Sequence, residues 1–381
     1  MKRKVAIIDP LGAHGSSHHF YLFGQITGLR DNNVDIRLYT NTETKNPNIK
    51  GVEFYQTFGD LYSSKIKFIS GFRYVFGSIY SILHARINKV RVFHFHVFNA
   101  NYLLLFNLLL IKLLFSKLVI TAHDITSFSE QTNSSFISKL VYRLVDLILT
   151  HNKFSRDEIT KKDPALKDKI NIIPHGNYTP FINIQKDKLL SREFLNLPLE
   201  KTILLFFGMI KKVKGLEVLL ESLREVVATN SDILLLIAGK PWQNDFQNYH
   251  KIIDENNLSN NVILHTKFIE DNEVEYYYAA SDLVVLPYKK IYQSGVLMMA
   301  LSYEKPVLVS DLPPLKEVIT DNENGFFFRS EDTLDLANRL KEILADKNQL
   351  EKVRLNGSAL VNTKFSWNEM ARLTKESYQS L

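Results

Sequence analysis

Short, nearly unbroken apolar runs alternate along this chain with longer stretches in which apolar residues recur every three or four positions. Runs at 5–9, 34–40, 90–97, 118–124, 146–150 and 170–174 suit strands buried on both faces, with helices over about 18–29 and 63–89 between them. The most apolar stretch, 102–120, predicts a helix running into the strand at 118. Strand, loop, helix, strand is the repeating unit of a doubly wound parallel sheet. The second half repeats it with strands at 202–207, 232–238, 261–265, 282–287 and 306–310 and helices near 215–229, 246–255, 273–280 and 295–303. Between the halves, 178–198 lacks a sustained period and is bracketed by Pro180 and Pro198, which predicts a linker. Three helices close the chain at 331–345, 349–363 and 367–381, the last amphipathic. The expected architecture is α/β, with domains at 1–180 and 181–365, residues 366–381 packing back on the first, and a ligand cleft between two Rossmann-like halves.

Composition narrows the classes. At 381 residues the chain exceeds one ordinary core, and 45% hydrophobic residues exclude global disorder. A net charge of +6 fits anionic ligands, an anionic membrane surface or nucleic acid. The basic residues are dispersed, which argues against nucleic acid. With no cysteine, disulfides, thiolate zinc sites and cysteine nucleophiles are excluded. The apolar run after Met1-Lys2-Arg3-Lys4 is too short for a signal peptide, and Asn107, Lys112, Ser116 and Lys117 interrupt 102–120 before it reaches the ~20 apolar residues of a spanning helix. A cytoplasmic protein is expected. In 63–89, Lys65, Lys67, Arg73, Arg86 and Lys89 stand among Phe68, Phe72, Tyr74, Phe76 and Tyr80, which suits either an ordinary amphipathic helix or a surface touching anionic lipid.

The candidate chemistry lies in loops after strands. Residues 207–216 place Gly208, Lys211, Lys212, Lys214 and Gly215 between a strand and a helix, where free amides and lysine charge converge on an anion. Residues 292–297, Tyr-Gln-Ser-Gly-Val-Leu, open another helix with further amides. Turn-forming glycines and solvated lysines are the plain alternative for both. The loop 10–17 carries Gly12 and Gly15 but no third glycine, so it is not a dinucleotide fingerprint. Three strands end in His123, His151 and His175, at the carboxyl ends where doubly wound sheets gather ligands. His94 and His96 share a strand face, but no third metal ligand is evident, so buried or cleft-lining histidines are expected.

The order of these elements resembles the GT-B glycosyltransferases, the large retaining group called group 1 or family 4, over essentially the whole chain and most strongly from 202 to 328. The family's Gly-x-x-x-x-x-Lys-Gly loop is matched from Gly208 to Lys214-Gly215, and its Ala-x-Asp strand by Ala280, Asp282 and Pro287. Pro306-Val307, Ser310-Asp311, Glu317-Val318 and Asn324-Gly325 match its next segment. The chain departs from the usual paired glutamates: it is similar to a variant reading Gln293-Ser294-Gly295-Val296-Leu297, with Met299 in place of the ribose-binding carboxylate.

The resemblance implies transfer of a sugar, with retention, from a UDP- or GDP-sugar to a hydroxyl of a glycan or lipid-linked acceptor, in cell-surface polysaccharide biosynthesis at the inner face of the plasma membrane. Catalytic roles fall to His123, Lys214 and Lys211, and donor binding to Gly208, Gly239, Lys240, Phe268, Gln293, Ser294, Gly295 and Val296. Acceptor binding falls to Gly12, Gly15, His18, His19, His151 and Asn177. Fixed positive groups stand in for a cation at the diphosphate, so no cofactor and no metal are expected. A nucleotide-sugar epimerase, a phosphorylase and a sugar-binding module without turnover remain open.

Overall fold

The computed structural model describes residues 2–14, 17–63, 66–125 and 135–381. The chain divides into two units, Met1–Gly176 with Phe365–Leu381, and Asn177–Lys364. The boundary thus falls before Asn177, not at 180, because the Tyr178 amide already donates to Ser302 Oγ of the second unit at 2.9 Å.

In the first unit β1 (Lys4–Asp9), α1 (His18–Asp31), β2 (Asp35–Asn41), β3 (Val52–Phe58), α2 (Lys67–Ile87), β4 (Val92–Val97), α3 (Tyr102–Leu113), β5 (Lys117–Ala122), α4 (Ser135–Leu144), β6 (Leu147–Thr150), α5 (Lys153–Lys162) and β7 (Ile170–Ile172) follow one another. The strands pair in parallel in the order β3-β2-β1-β4-β5-β6-β7. Val5 to Ile8 and Leu118 to Ile120 are fully buried, as strands covered on both faces require. β3, which the apolar pattern missed, is an edge strand and mostly half-buried, so its polar residues hide the period. Strand order reverses between β1 and β4, the switch point where such sheets collect ligands.

The second unit contains α6 (Lys188–Phe194), β8 (Thr202–Phe207), α7 (Leu216–Val227), β9 (Ile233–Ala238), α8 (Gln247–Glu255), β10 (Val262–His265), α9 (Asp271–Ala280), β11 (Leu283–Leu286), α10 (Gly295–Ser302), β12 (Val307–Ser310), α11 (Pro313–Lys316), β13 (Phe326–Phe328), α12 (Thr333–Ala345) and α13 (Lys347–Thr363). Its parallel sheet runs β10-β9-β8-β11-β12-β13. Helix α7 buries Leu216, Leu219, Leu220, Leu223 and Val226, the i, i+3, i+4, i+7 stripe that its sequence carries.

Helix α6 corrects the expected linker. Asp187 caps it by accepting from Leu190 N, Phe194 stacks on Tyr276 at 4.0 Å, and Arg192 pairs with Asp282 at 2.8 Å. Leu189 and Leu190 on this helix stay exposed, which blurs its apolar stripe in the sequence. Asp282, part of the family pattern, also accepts the Ile203 amide at 2.8 Å and so joins β8, α6 and β11.

The terminal helix, α14 (Trp367–Gln379), returns to the first unit and packs on α1. Ser366 caps it by accepting from Glu369 N. A Cβ on Gly24 or Gly176 would lie 2.0 or 2.5 Å from the Trp367 ring, so the indole occupies space that only glycine leaves free.

Candidate functional site

In the second unit the loops after three strands converge. Gly208 (φ 100°) follows β8 and Gly239 (φ 146°) follows β9, both in backbone regions that favour glycine. A Cβ on Gly239 would sit 2.0 Å from the Gly208 carbonyl oxygen, and one on Gly208 would sit 3.3 Å from Val296 Cγ2 at the start of α10. Gly215 (φ 64°) brings the lysine loop to 1.9 Å, counted the same way, from the Pro287 carbonyl after β11. The Ile210 amide donates to the Lys240 carbonyl at 3.0 Å, tying that loop to the end of β9.

Tyr288 lies at the centre of this meeting. Lys214 Nζ stands 3.8 Å from its ring centre, and Ser294 Oγ lies 3.4 Å from its hydroxyl. Ser294 also caps α10, its Oγ accepting from Leu297 N at 3.1 Å, while the Gly295 and Val296 amides precede the helical ladder and stay available to an anion. Lys211 Nζ lies 4.5 Å from the Trp242 ring centre. Lys211, Lys212, Lys214 and Lys240 form no ion pair with a described residue, so their charge is not neutralised within the unit. Gln293 Nε2 is buried without a hydrogen-bond partner among the described residues, an orphan donor beside the α10 start. Met299 is buried at the position of the missing carboxylate. Phe268 follows β10 about half exposed, and no ring contact among the described residues draws it into the group. A hollow of about 430 Å³ is lined by Lys211 and Lys212 together with Glu217, Glu221 and Asp245, and with more carboxylates than lysines it is unsuited to a diphosphate.

In the first unit, side chains at the carboxyl ends of the strands form a histidine cluster. Asp9 ends β1: its Oδ1 accepts the Gly12 amide at 2.7 Å and its Oδ2 bonds His18 Nε2 at 2.9 Å. His96 near the end of β4 and His123 just past β5 join through Nδ1 and Nε2 at 2.8 Å. His123 Nδ1 bonds His151 Nε2 at 3.0 Å, and His151 Nδ1 donates to the Ile173 carbonyl at 3.0 Å. Tyr21 of α1 lies edge-on to His123 and His175, 4.8 Å from each ring centre, and 5.0 Å from Trp367. Burial lowers His123 well below the ordinary imidazole range, and the neighbouring His151 and His96 push it further. Burial likewise takes His151 to about 4 and His175 to about 3, so these rings are neutral near pH 7. They accept and donate hydrogen bonds and do not carry charge.

Other expected residues take different places. His94, expected beside His96, is engaged by Tyr378 Oη at 2.6 Å and Thr121 Oγ1 at 2.7 Å, and so anchors α14. Gly12 (φ 49°) leaves room for Thr44 and serves the Asp9 turn, while Gly15 lies outside the described residues. The His19 ring lies against Phe20 and Phe23. Asn177 belongs to the second unit, where its amide donates to the Val361 carbonyl at 2.9 Å. The His94–His96 pair gains no third ligand, but a different set does come together: one ring nitrogen each of His18, His96 and His123 lies within 4.8 Å of the others. Asp9, Tyr21, Gln25, Tyr288 and Trp367 went unnoticed; only Asp9, ending a strand beside a glycine loop, had a readable signal.

Residues 187–359 match the family described as Glycosyl transferases group 1. The chain is 22% identical over 247 residues to spore coat protein SA of Bacillus subtilis, covering 61% of this chain and 64% of that one. It is 24% identical over 241 residues to the lipopolysaccharide 1,2-N-acetylglucosaminetransferase of Salmonella typhimurium, covering 61% and 62%. The match therefore spans less than two thirds of either relative's own length. Among solved structures, Anabaena HepE in complex with UDP-glucose superposes with a TM-score of 0.76 at 16% identity, covering 99% of this chain and 100% of that one. No helix among the described residues is long and apolar enough to cross a membrane. The matched segment lies within the second unit and resembles the group 1 glycosyl transferases, and the chain shares its fold of two Rossmann-like domains with the solved GT-B glycosyltransferase structures.

Proposed function

We propose that the protein moves a sugar, with retention at the anomeric carbon, from a UDP- or GDP-sugar to a hydroxyl of a glycan or lipid-linked acceptor. The observation that carries this reading is the meeting of Lys214 and Ser294 on Tyr288, beside the Gly208–Gly239 contact. As the glycosidic bond breaks, the departing nucleoside diphosphate gains negative charge. Lys211, Lys214 and the Gly295 and Val296 amides are fixed positive groups that meet that charge without reorganising. In this reading the diphosphate needs no bridging metal. Gln293 Nε2 donates to a donor oxygen, and the glycines at 208 and 239 admit the phosphates close to the backbone. His123, neutral and held by His151, contacts the donor sugar or steers the acceptor hydroxyl, and Asp9 orients His18 for the same task.

HepE, solved with UDP-glucose, favours a uridine diphosphate donor. A lipid-linked acceptor is favoured by α2, where Phe68 (83% exposed), Phe72 and Phe76 stand out on the helix that Lys67 opens. We place the reaction at the cytoplasmic face of a membrane, in cell-surface polysaccharide assembly.

Thermal stabilisation across UDP-, GDP- and ADP-sugars, followed by product analysis with glycan and polyprenyl-linked acceptors, tests the reading. One donor is expected to raise Tm and yield a product of unchanged anomeric configuration. No stabilisation by any donor defeats it. Met299 favours one second reading, donor binding without transfer, which binding with no turnover on any acceptor would support.

A further inference from the structure

The hydrogen bonds of the first unit's histidine cluster are one hydrogen short. The Ile173 carbonyl only accepts, so His151 carries its hydrogen on Nδ1 and offers Nε2 as an acceptor. His123 must then donate from Nδ1, which leaves a lone pair on its Nε2. At the other end Gln25 Oε1, 3.0 Å from His96 Nε2, also only accepts, so the His96 hydrogen sits on Nε2 and its Nδ1 keeps a lone pair. Those lone pairs face each other at 2.8 Å. His18 supplies a third, because its Nε2–H is committed to Asp9 Oδ2 at 2.9 Å and Nδ1 remains.

A proton placed there satisfies two of the three lone pairs, whereas a cation satisfies all three. The ring spacing fits one. The centres of His18, His96 and His123 are 5.4, 5.2 and 5.1 Å apart pairwise. Three imidazoles bound at about 2.0–2.1 Å to a tetrahedral ion place their ring centres roughly 5.2 Å apart. The His96–His123 nitrogens need only open from 2.8 Å toward the ~3.3 Å between tetrahedral ligands. Each ring's remaining nitrogen already has the outer partner that ligating histidines use: Asp9, Gln25 and His151.

We propose that His18, His96 and His123 bind a divalent cation of the zinc class through Nδ1, Nδ1 and Nε2, with the fourth position open to water or a ligand oxygen. Three imidazole donors select zinc and its transition-metal neighbours over magnesium or calcium. The site lies at the carboxyl ends of β1, β4 and β5 in the first unit and takes up the same His123 and His18 that the proposed function turns to the sugar, which the metal-bound form would meet through the open fourth position; because cobalt binding is read without donor or acceptor, its failure leaves the proposed function standing.

The test uses the full chain without a polyhistidine tag, stripped with chelator and titrated with Co²⁺. A visible absorption band that saturates at one cobalt per chain and is displaced by Zn²⁺ is expected, with a rise in Tm. His96→Gln and His123→Gln should each abolish the band, and Asp9→Asn should weaken binding about 10–100-fold. His14→Gln, at the exposed pair with Glu43, should leave it unchanged. If the wild-type chain gives no band, or if His96→Gln and His123→Gln still give it, the proposal is overturned; the Gln25 amide is then turned so that its Nε2 donates to His96.

Discussion

Lys214 Nζ stands 3.8 Å above the Tyr288 ring, and Ser294 Oγ reaches the hydroxyl of the same tyrosine at 3.4 Å. The ring holds the ammonium in place by its quadrupole without neutralising it, an attraction of about 0.5–2 kcal/mol. The cation is thereby positioned beside the α10 amides yet remains available to an anion.

Lys214→Ala is expected to weaken nucleotide-sugar binding by roughly 10–100-fold, the range of a charge-assisted hydrogen bond of about 1.5–3 kcal/mol, with Tm nearly unchanged. Tyr288→Phe, which keeps the ring, should cost much less than Tyr288→Ala. Calorimetric titration of all three variants checks this, and equal affinity in Lys214→Ala removes that lysine from the site.

The Trp367 indole fills the space left by Gly24 and Gly176, while Gly28 lets the Trp367 backbone carbonyl approach α1. Trp367→Ala should destabilise the first unit by about 3–5 kcal/mol, the range for deleting a large core aromatic. Gly24→Ala should also destabilise, since its Cβ would fall 2.0 Å from the ring. Denaturant unfolding measures both; wild-type midpoints would mean α14 is not docked as described.

Lys305 lends the second unit a pH dependence. Burial lowers it from an ordinary 10.5 to about 8, with Asp282 only partly offsetting. Between pH 8 and 10.5 the unfolded chain binds the proton that the folded chain has released, so stability from this group rises with pH across that window. The rise amounts to ~3 kcal/mol, and below pH 8 the whole penalty is present. Lys305→Met should flatten the Tm–pH profile there, and parallel profiles would contradict the assignment.

Exposed aromatic residues on α2 predict lipid contact. Phe68→Ser combined with Phe72→Ser should reduce co-sedimentation with vesicles containing phosphatidylglycerol at least several-fold, and high salt should weaken the wild type, since Lys67 supplies attraction to the anionic surface. Binding that ignores both changes argues against this face.

Much of the fold was readable because the strands of a parallel sheet are buried on both sides, and burial on both sides writes an apolar run into the sequence. Val5 to Ile8 and Leu234 to Ile237 announce themselves that way. The edge strand β3 and the helix α6 did not: one is half exposed, and the other combines exposed leucines with Arg192, a buried charge met by Asp282 from 90 positions away and by the Ala280 carbonyl.

What the chain determined by itself was local: which segments are strands, which turns need glycine, and that three strands end in histidine. Tertiary structure alone decided partnership. Parallel pairing placed β4 between β1 and β5, and so set His96 against His123 and within reach of His18. The parallel pairing of β8 with β11 did the same for Lys214 and Tyr288. Such contacts join residues tens of positions apart, and no periodicity records them, because strand order is fixed by how the helices cover the sheet and not by any one segment.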